Sequence, residues 1–212
     1  MRRPTLRGVL VLVLAAVTGA ACSKSNTSTP TTPTPTATTE TFSGSLTLNG
    51  ALTFPFVVTQ AGSANATITA LDPDITVTVK AGGSGTFSVG ELVYQGASFD
   101  TAAVKATVYA WNPATGILSL RDFTGGFTVD TAIIGVDSGA QWTIASIDTP
   151  VVGIALGTWS GTTCTIVLAN DVSSAGSSVN GAVQGQGTLC ARVYDVGKLT
   201  TPATFTIEVT HF

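Results

Sequence analysis

Residues 42–74 read FSGSLTLNGALTFPFVVTQAGSANATITALDPD, and their alternation decides the fold class. Phe42, Gly44, Leu46 and Leu48 fall on one face of an extended chain, with Ser43, Ser45 and Thr47 on the other. Leu52, Phe54, Phe56 and Val58 continue the apolar face, and Ala66, Ile68 and Ala70 repeat it after Gly62. A period of two is that of a strand with one face buried. Asn49-Gly50 predicts a hairpin turn. Pro55 has no N–H to give to a ladder, so its strand is expected at a sheet edge.

The C-terminal part has the same grammar. Cys164, Ile166 and Leu168 alternate, Leu189 to Tyr194 reads as a strand, and Phe205, Ile207 and Val209 mark the last one. Between them, Asn170 to Gly187 is rich in Gly, Ser and Asn and reads as a loop. Hydrophobic residues make up 44% of the chain and charged ones 10%, which excludes disorder of the whole. No segment carries a helical stripe. The expected class is all-β, an antiparallel sandwich or jelly roll.

The 42–74 stretch resembles the first half of bacterial pre-peptidase C-terminal-like β-sandwiches. GTWSGTTCTIVLANDV (157–172) and GTLCARVYDVGKLTTPATFTIEVTHF (187–212) are similar to the second half. The resemblance implies a non-catalytic accessory domain of an exported bacterial protein. It also implies that Asp72-Pro73-Asp74 should lead at once into Thr149-Pro150-Val151-Val152-Gly153, whereas about seventy residues intervene, the size of one small domain.

That stretch, 75–148, repeats itself. Phe87-Ser88-Val89 with Val93 recurs forty positions on as Phe127-Thr128-Val129 with Ile133. The copies lead to Ala106-Thr107-Val108 and Trp142-Thr143-Ile144, and Trp111 to Leu120 reads as strand–turn–strand. A two-fold repeat of short strands predicts a small β-barrel. The pattern F-x-V-G-E-x-V, W-N-x-x-T-G-x-L, G-x-F, S-G-A resembles small barrel modules of phage virion and tail-associated proteins. A single long sandwich with an elaborate hairpin is the alternative.

The first 22 residues have basic Arg2 and Arg3, an apolar run from Gly8 to Val17, and Gly19-Ala20-Ala21 before Cys22. This is the layout of a signal peptide (1–21), its apolar run too short to span a bilayer. The step into Cys22 resembles a bacterial lipobox, which implies lipidation of Cys22. Gly19 departs from the aliphatic residue usual there, and small-x-small cleavage with secretion is the alternative. Residues 22–41 then form a Ser/Thr/Pro linker. Of three cysteines, lipidation leaves Cys164 and Cys190, 26 positions apart, to pair in an oxidising compartment; two buried thiols are the alternative.

Little points to catalysis, and no enzyme is expected. The one histidine, His211, is in phase with the apolar face of the last strand. Glu91, Asp122, Asp130 and Asp137 sit mostly in turns, where acids usually bond local backbone, and nothing fixes a catalytic pair. Cofactors are expected to be none, or calcium on the loop oxygens of Asp72, Asp74 and Asp171. Trp111 and Trp159 are candidates for ligand stacking, against a core role. Without Arg2, Arg3 and Arg7, the nine basic residues fall to six, scattered, against twelve acids, which excludes nucleic acid as a partner. The partners expected are a membrane through the lipid anchor, and a surface protein or polysaccharide. The sequence therefore predicts a non-catalytic lipoprotein of the bacterial envelope, at the outer membrane or cell surface, for structural or adhesive display. A carbohydrate-binding accessory protein is the alternative. Its domains would be a discontinuous sandwich (42–74 and 149–212) and an inserted barrel (75–148).

Overall fold

The computed structural model describes residues 36–212, so the signal peptide and Cys22 lie outside the described residues. The jelly roll is built from β1 (Thr38–Leu46), β2 (Ala51–Val58) and β3 (Gly62–Asp72) before the insertion. The barrel follows with β4 (Ile75–Val79), β5 (Leu92–Gln95), β6 (Val104–Asn112), β7 (Ile117–Thr124), β8 (Ala132–Gly135) and β9 (Gln141–Asp148). The jelly roll resumes with β10 (Val152–Trp159), β11 (Cys164–Ser173), β12 (Ser178–Val183), β13 (Gly187–Asp195) and β14 (Ala203–His211).

One sheet has the order β1-β14-β3-β12 and the other β11-β10-β13-β2. Leaving the barrel aside, successive strands cross between sheets except at the β10–β11 hairpin. This is the strand order of an eight-stranded jelly roll made of two Greek keys. Leu46, Phe56, Ile68, Ile154, Val193 and Ile207 fill the space between the sheets. As Pro55 implies, β2 is an edge strand.

Four local expectations are corrected. Asn49-Gly50 does not close a hairpin: β1 and β2 belong to different sheets, so the turn arches between them. The arch sets the apolar faces of the two strands opposite each other across one interior. Ala70 is exposed and Leu71 buried, because a register shift between Thr206 and Ile207 of β14 flips the alternation of β3. The stretch read as a loop contains β12, paired with β3 from Ser178↔Thr67 to Val183↔Gly62. The first strand starts at Thr38 within the expected linker, its residues 38–41 paired to the end of β14.

The barrel closes in the order β4-β7-β6-β5-β8-β9. Exchanging β4–β6 with β7–β9 reproduces every pairing, so the sequence repeat is a pseudo-two-fold of the barrel. Backbone detail follows it. Gly85 and Gly125 have φ of 78° and 70°, and Gly90 and Asp130 have 87° and 61°. Gly90 N donates to Val108 O as Asp130 N donates to Ile144 O, both at 2.9 Å. Val77, Val93, Val108, Leu118, Ile133 and Ile144 make a core separate from that of the jelly roll.

The barrel's first and last strands are neighbours, Thr76 opposite Asp148, so the chain leaves and rejoins the jelly roll at one place. That place is the end of the jelly roll holding Asp72, Val152 and Asp195. The opposite end gathers Thr38, Val58, Gly62, Trp159, Val183 and His211. The N-terminal tract therefore joins the jelly roll at the end remote from the barrel.

Candidate functional site

Two segments join the bodies, Asp72-Pro73-Asp74 and Thr149-Pro150-Val151. Beside them a crevice of about 610 Å³ opens between the barrel strands β4 and β9 and the jelly-roll loops. Thr76, Thr78 and Asp148 line its barrel wall; Asp171, Val172 and Lys198 line the other. On the far side of the connectors lies a hollow of about 210 Å³, with Asp74, Phe123 and Pro150 on its walls. Clefts where two bodies meet are common ligand sites, and this one offers hydroxyls, two carboxylates and one ammonium.

The crevice's jelly-roll wall is held by local hydrogen bonds. Tyr194 donates its hydroxyl to Asp171; burial, and then that bond and the nearby carboxylate charge, push the phenol up to about 12. Asp195 organises the loop carrying Lys198. Its carboxylate accepts from the N–H groups of Asn49 (2.8 Å), Gly197 (2.8 Å), Lys198 (3.0 Å) and Leu199 (3.2 Å). Burial pushes this carboxyl up, but the four donors outweigh it and hold it below the usual carboxylate range. Its stabilising contribution is thus complete above the unfolded pKa, about 3.9, and is lost as pH falls through the lower folded value. The Asp195→Asn variant is expected to lose about 1 kcal/mol at pH 7 and to show a shallower fall in stability below about pH 4. Unfolding curves at a series of acid pH values check this, and equal slopes for both proteins would refute it.

The residues singled out from sequence are scattered. Cys164 and Cys190 form a disulfide with Cα atoms 5.9 Å apart, tying β11 to β13, which flank β10 in the sheet. Trp111, on β6, meets Phe87 edge-on at 5.2 Å and Trp142 at 5.4 Å, packed against the barrel core. Trp159 ends β10 at the end of the jelly roll remote from the barrel, so the structure does not bring Trp111 and Trp159 together. Asp74 accepts from the N–H of Asp122 at 2.8 Å. Burial, and then the charge of Asp74, push the Asp72 carboxyl up, against the lowering effect of Arg121. Among the described residues no three His, Cys, Asp or Glu side chains gather to hold a metal ion.

The other acids are engaged locally. Glu91 is 4% exposed and accepts from Ser88 N (2.6 Å), Ser138 N (3.0 Å) and Ser138 Oγ (2.9 Å). Asp130 pairs with Lys80, and Asp137 is exposed. His211 Nε2 lies 2.9 Å from Glu40 and its ring packs on Phe56. Lys198, Tyr194 and Asp195 were not singled out from sequence. Asp-x-Gly at 195–197 is an Asx-turn signature, but the crevice wall it supports depends on how the barrel docks.

Fold and site together define an all-β protein of two bodies: a jelly roll carrying a pseudo-two-fold six-stranded barrel as an insertion. No protein-family model, no curated protein and no solved structure matches the chain.

Proposed function

We propose that this chain is a non-catalytic lipoprotein of the bacterial cell envelope, related to pre-peptidase C-terminal-like sandwiches, that displays its barrel for binding. The observation that supports this most is the opposite placement of the N-terminal entry and the barrel. A chain anchored through Cys22 and the Ser/Thr/Pro linker would hold the jelly roll between the anchor and the barrel, with the crevice on the side away from the surface. The disulfide supports an oxidising compartment. A carbohydrate-binding accessory role would use the crevice hydroxyls and carboxylates rather than a tryptophan platform.

The test is the intact mass of the protein recovered from the membrane fraction. The expected mass is that of residues 22–212 plus lipid, and a Cys22→Ala variant should leave the membrane. A lipid-free mass from the soluble fraction would overturn the anchor.

A further inference from the structure

We infer that the outer face of the β11-β10-β13-β2 sheet is a binding surface for a neutral saccharide, centred on Tyr194. This goes beyond display of the barrel, since the site lies on the jelly roll and does not need the anchor at Cys22.

The register builds the surface. Ala191 and Val193 of β13 face the core, so Arg192 and Tyr194 face outward. Tyr194 lies opposite Gly153 of β10 and Ala51 of β2, and Arg192 lies opposite Ala155 and Thr53. Ala155 in turn lies opposite Ala169 of β11. Directly opposed residues share a face of the sheet, so two large side chains stand on a floor of small ones.

Gly153 lets the tyrosine lie down. A Cβ built there would lie within 2.7 Å of three ring carbons, including the one that bears the hydroxyl. The ring therefore crosses over β10 with one face against its backbone, and Gly153 is buried beneath it. The hydroxyl donates to Asp171 of β11, which fixes the far edge of the ring. The half-buried ring is thus held flat, its second face turned away from the sheet.

A donor and an acceptor stand beside that face. The guanidinium carbon of Arg192 is 5.8 Å from the ring centre. Arg192 forms no ion pair among the described residues, and its Nε is buried without a partner. Asp171 is exposed and bonds the phenol through one carboxylate oxygen only. One face of a pyranose is an apolar C–H surface that suits the negative face of an aromatic ring. Its rim of hydroxyls both accepts, as from a guanidinium fork, and donates, as to a carboxylate. Charge narrows the class. Arg192 and Asp171 offset each other, and Asp148 stands in the adjoining crevice of an acidic chain, which disfavours acidic sugars. Asp171 lines that crevice too, beside Lys198, Thr200 and Thr201, so the surface continues into it and suits an oligosaccharide.

The test is calorimetric titration of the full-length protein, purified from cells, with cellohexaose, maltohexaose and chitohexaose, and with hexagalacturonate as the acidic counterpart. At least one neutral hexasaccharide is expected to bind, and more tightly than the acidic one. Tyr194→Ala should weaken that binding about tenfold, and Arg192→Gln several-fold. Asp148→Asn should matter less than either. Thermal melts identify folded variants, and if Tyr194→Ala does not fold, Arg192→Gln decides. No binding of any neutral probe, tighter binding of hexagalacturonate, or full affinity in Arg192→Gln would overturn the inference. Affinity lost in Asp148→Asn alone would place the ligand wholly in the crevice and overturn the tyrosine platform.

Discussion

Removing the Cys164–Cys190 bridge, by reduction or in the C164A/C190A double variant, is expected to lower the unfolding free energy by about 3 kcal/mol. The bond closes a loop of 26 residues, and most of the effect comes from restricting the unfolded chain rather than from folded contacts. The loop contains all of β11 and β12, two edge strands with little burial of their own. Ile166, Val167, Leu168 and Val172 are all exposed by more than a third. Without the bond, this corner of the jelly roll should open first, giving early hydrogen exchange in residues 164–183 while the barrel amides stay protected. Denaturant unfolding under oxidising and reducing conditions checks the magnitude. An unchanged midpoint would show that packing alone holds the edge.

The second large effect belongs to the barrel. Replacing Glu91 with alanine is expected to cost about 3 kcal/mol, because the N–H groups of Ser88 and Ser138 and the Ser138 hydroxyl together lose a buried, charged acceptor. The acid ties the loop before β5 to the turn between β8 and β9, so the damage should be confined to that end of the barrel. Glu91→Gln keeps the volume but turns an amide donor toward groups that are themselves donors, and should recover at most half of the loss. Gly135→Ala should act on the same spot, since a Cβ there would lie 2.3 Å from Ser138 Oγ and 2.9 Å from Glu91 Oε2. Thermal melts of the three variants test the set. Wild-type stability in Glu91→Ala would show that the carboxylate is dispensable.

Glu91 also shows what sequence could and could not disclose. As one of several turn acids it reads as bonded to local backbone alone, because burial of a loop carboxylate depends on which distant turn folds over it. Here that turn is 47 positions away. The barrel's internal repeat was legible because both copies keep the Phe-x-Val spacing, with Val93 and Ile133 following; the matching left-handed residues, Gly90 and Asp130, emerge only in the fold. The jelly roll was legible where one face is buried without interruption, as at Phe205, Ile207 and Val209. It was illegible where a bulge shifts the phase, as at Ala70. It was also illegible where the strand is made of small residues, as in Ser178–Val183, which buries only Val179. Asn49-Gly50 marked a reversal correctly, but a dipeptide cannot say whether the chain reverses within one sheet or between two. The crevice has no sequence signature, since its walls come from five separated segments brought together only by docking of the two bodies.

The opposed placement of the N-terminal entry and the barrel also sets how the molecule would carry a load. If something held by the barrel is pulled away from whatever holds the N-terminal tract, tension enters β1 at Thr38 and leaves through the connectors after Asp72 and before Val152. β1 is then drawn lengthwise along β14, with which it is paired from Thr38↔His211 to Leu46↔Ala203 without a break. Ladder hydrogen bonds run across the strands, so this pull strains them all together in shear instead of peeling them one by one. The geometry of an edge strand, weak against sideways separation, becomes the resistant one when the force runs along its length.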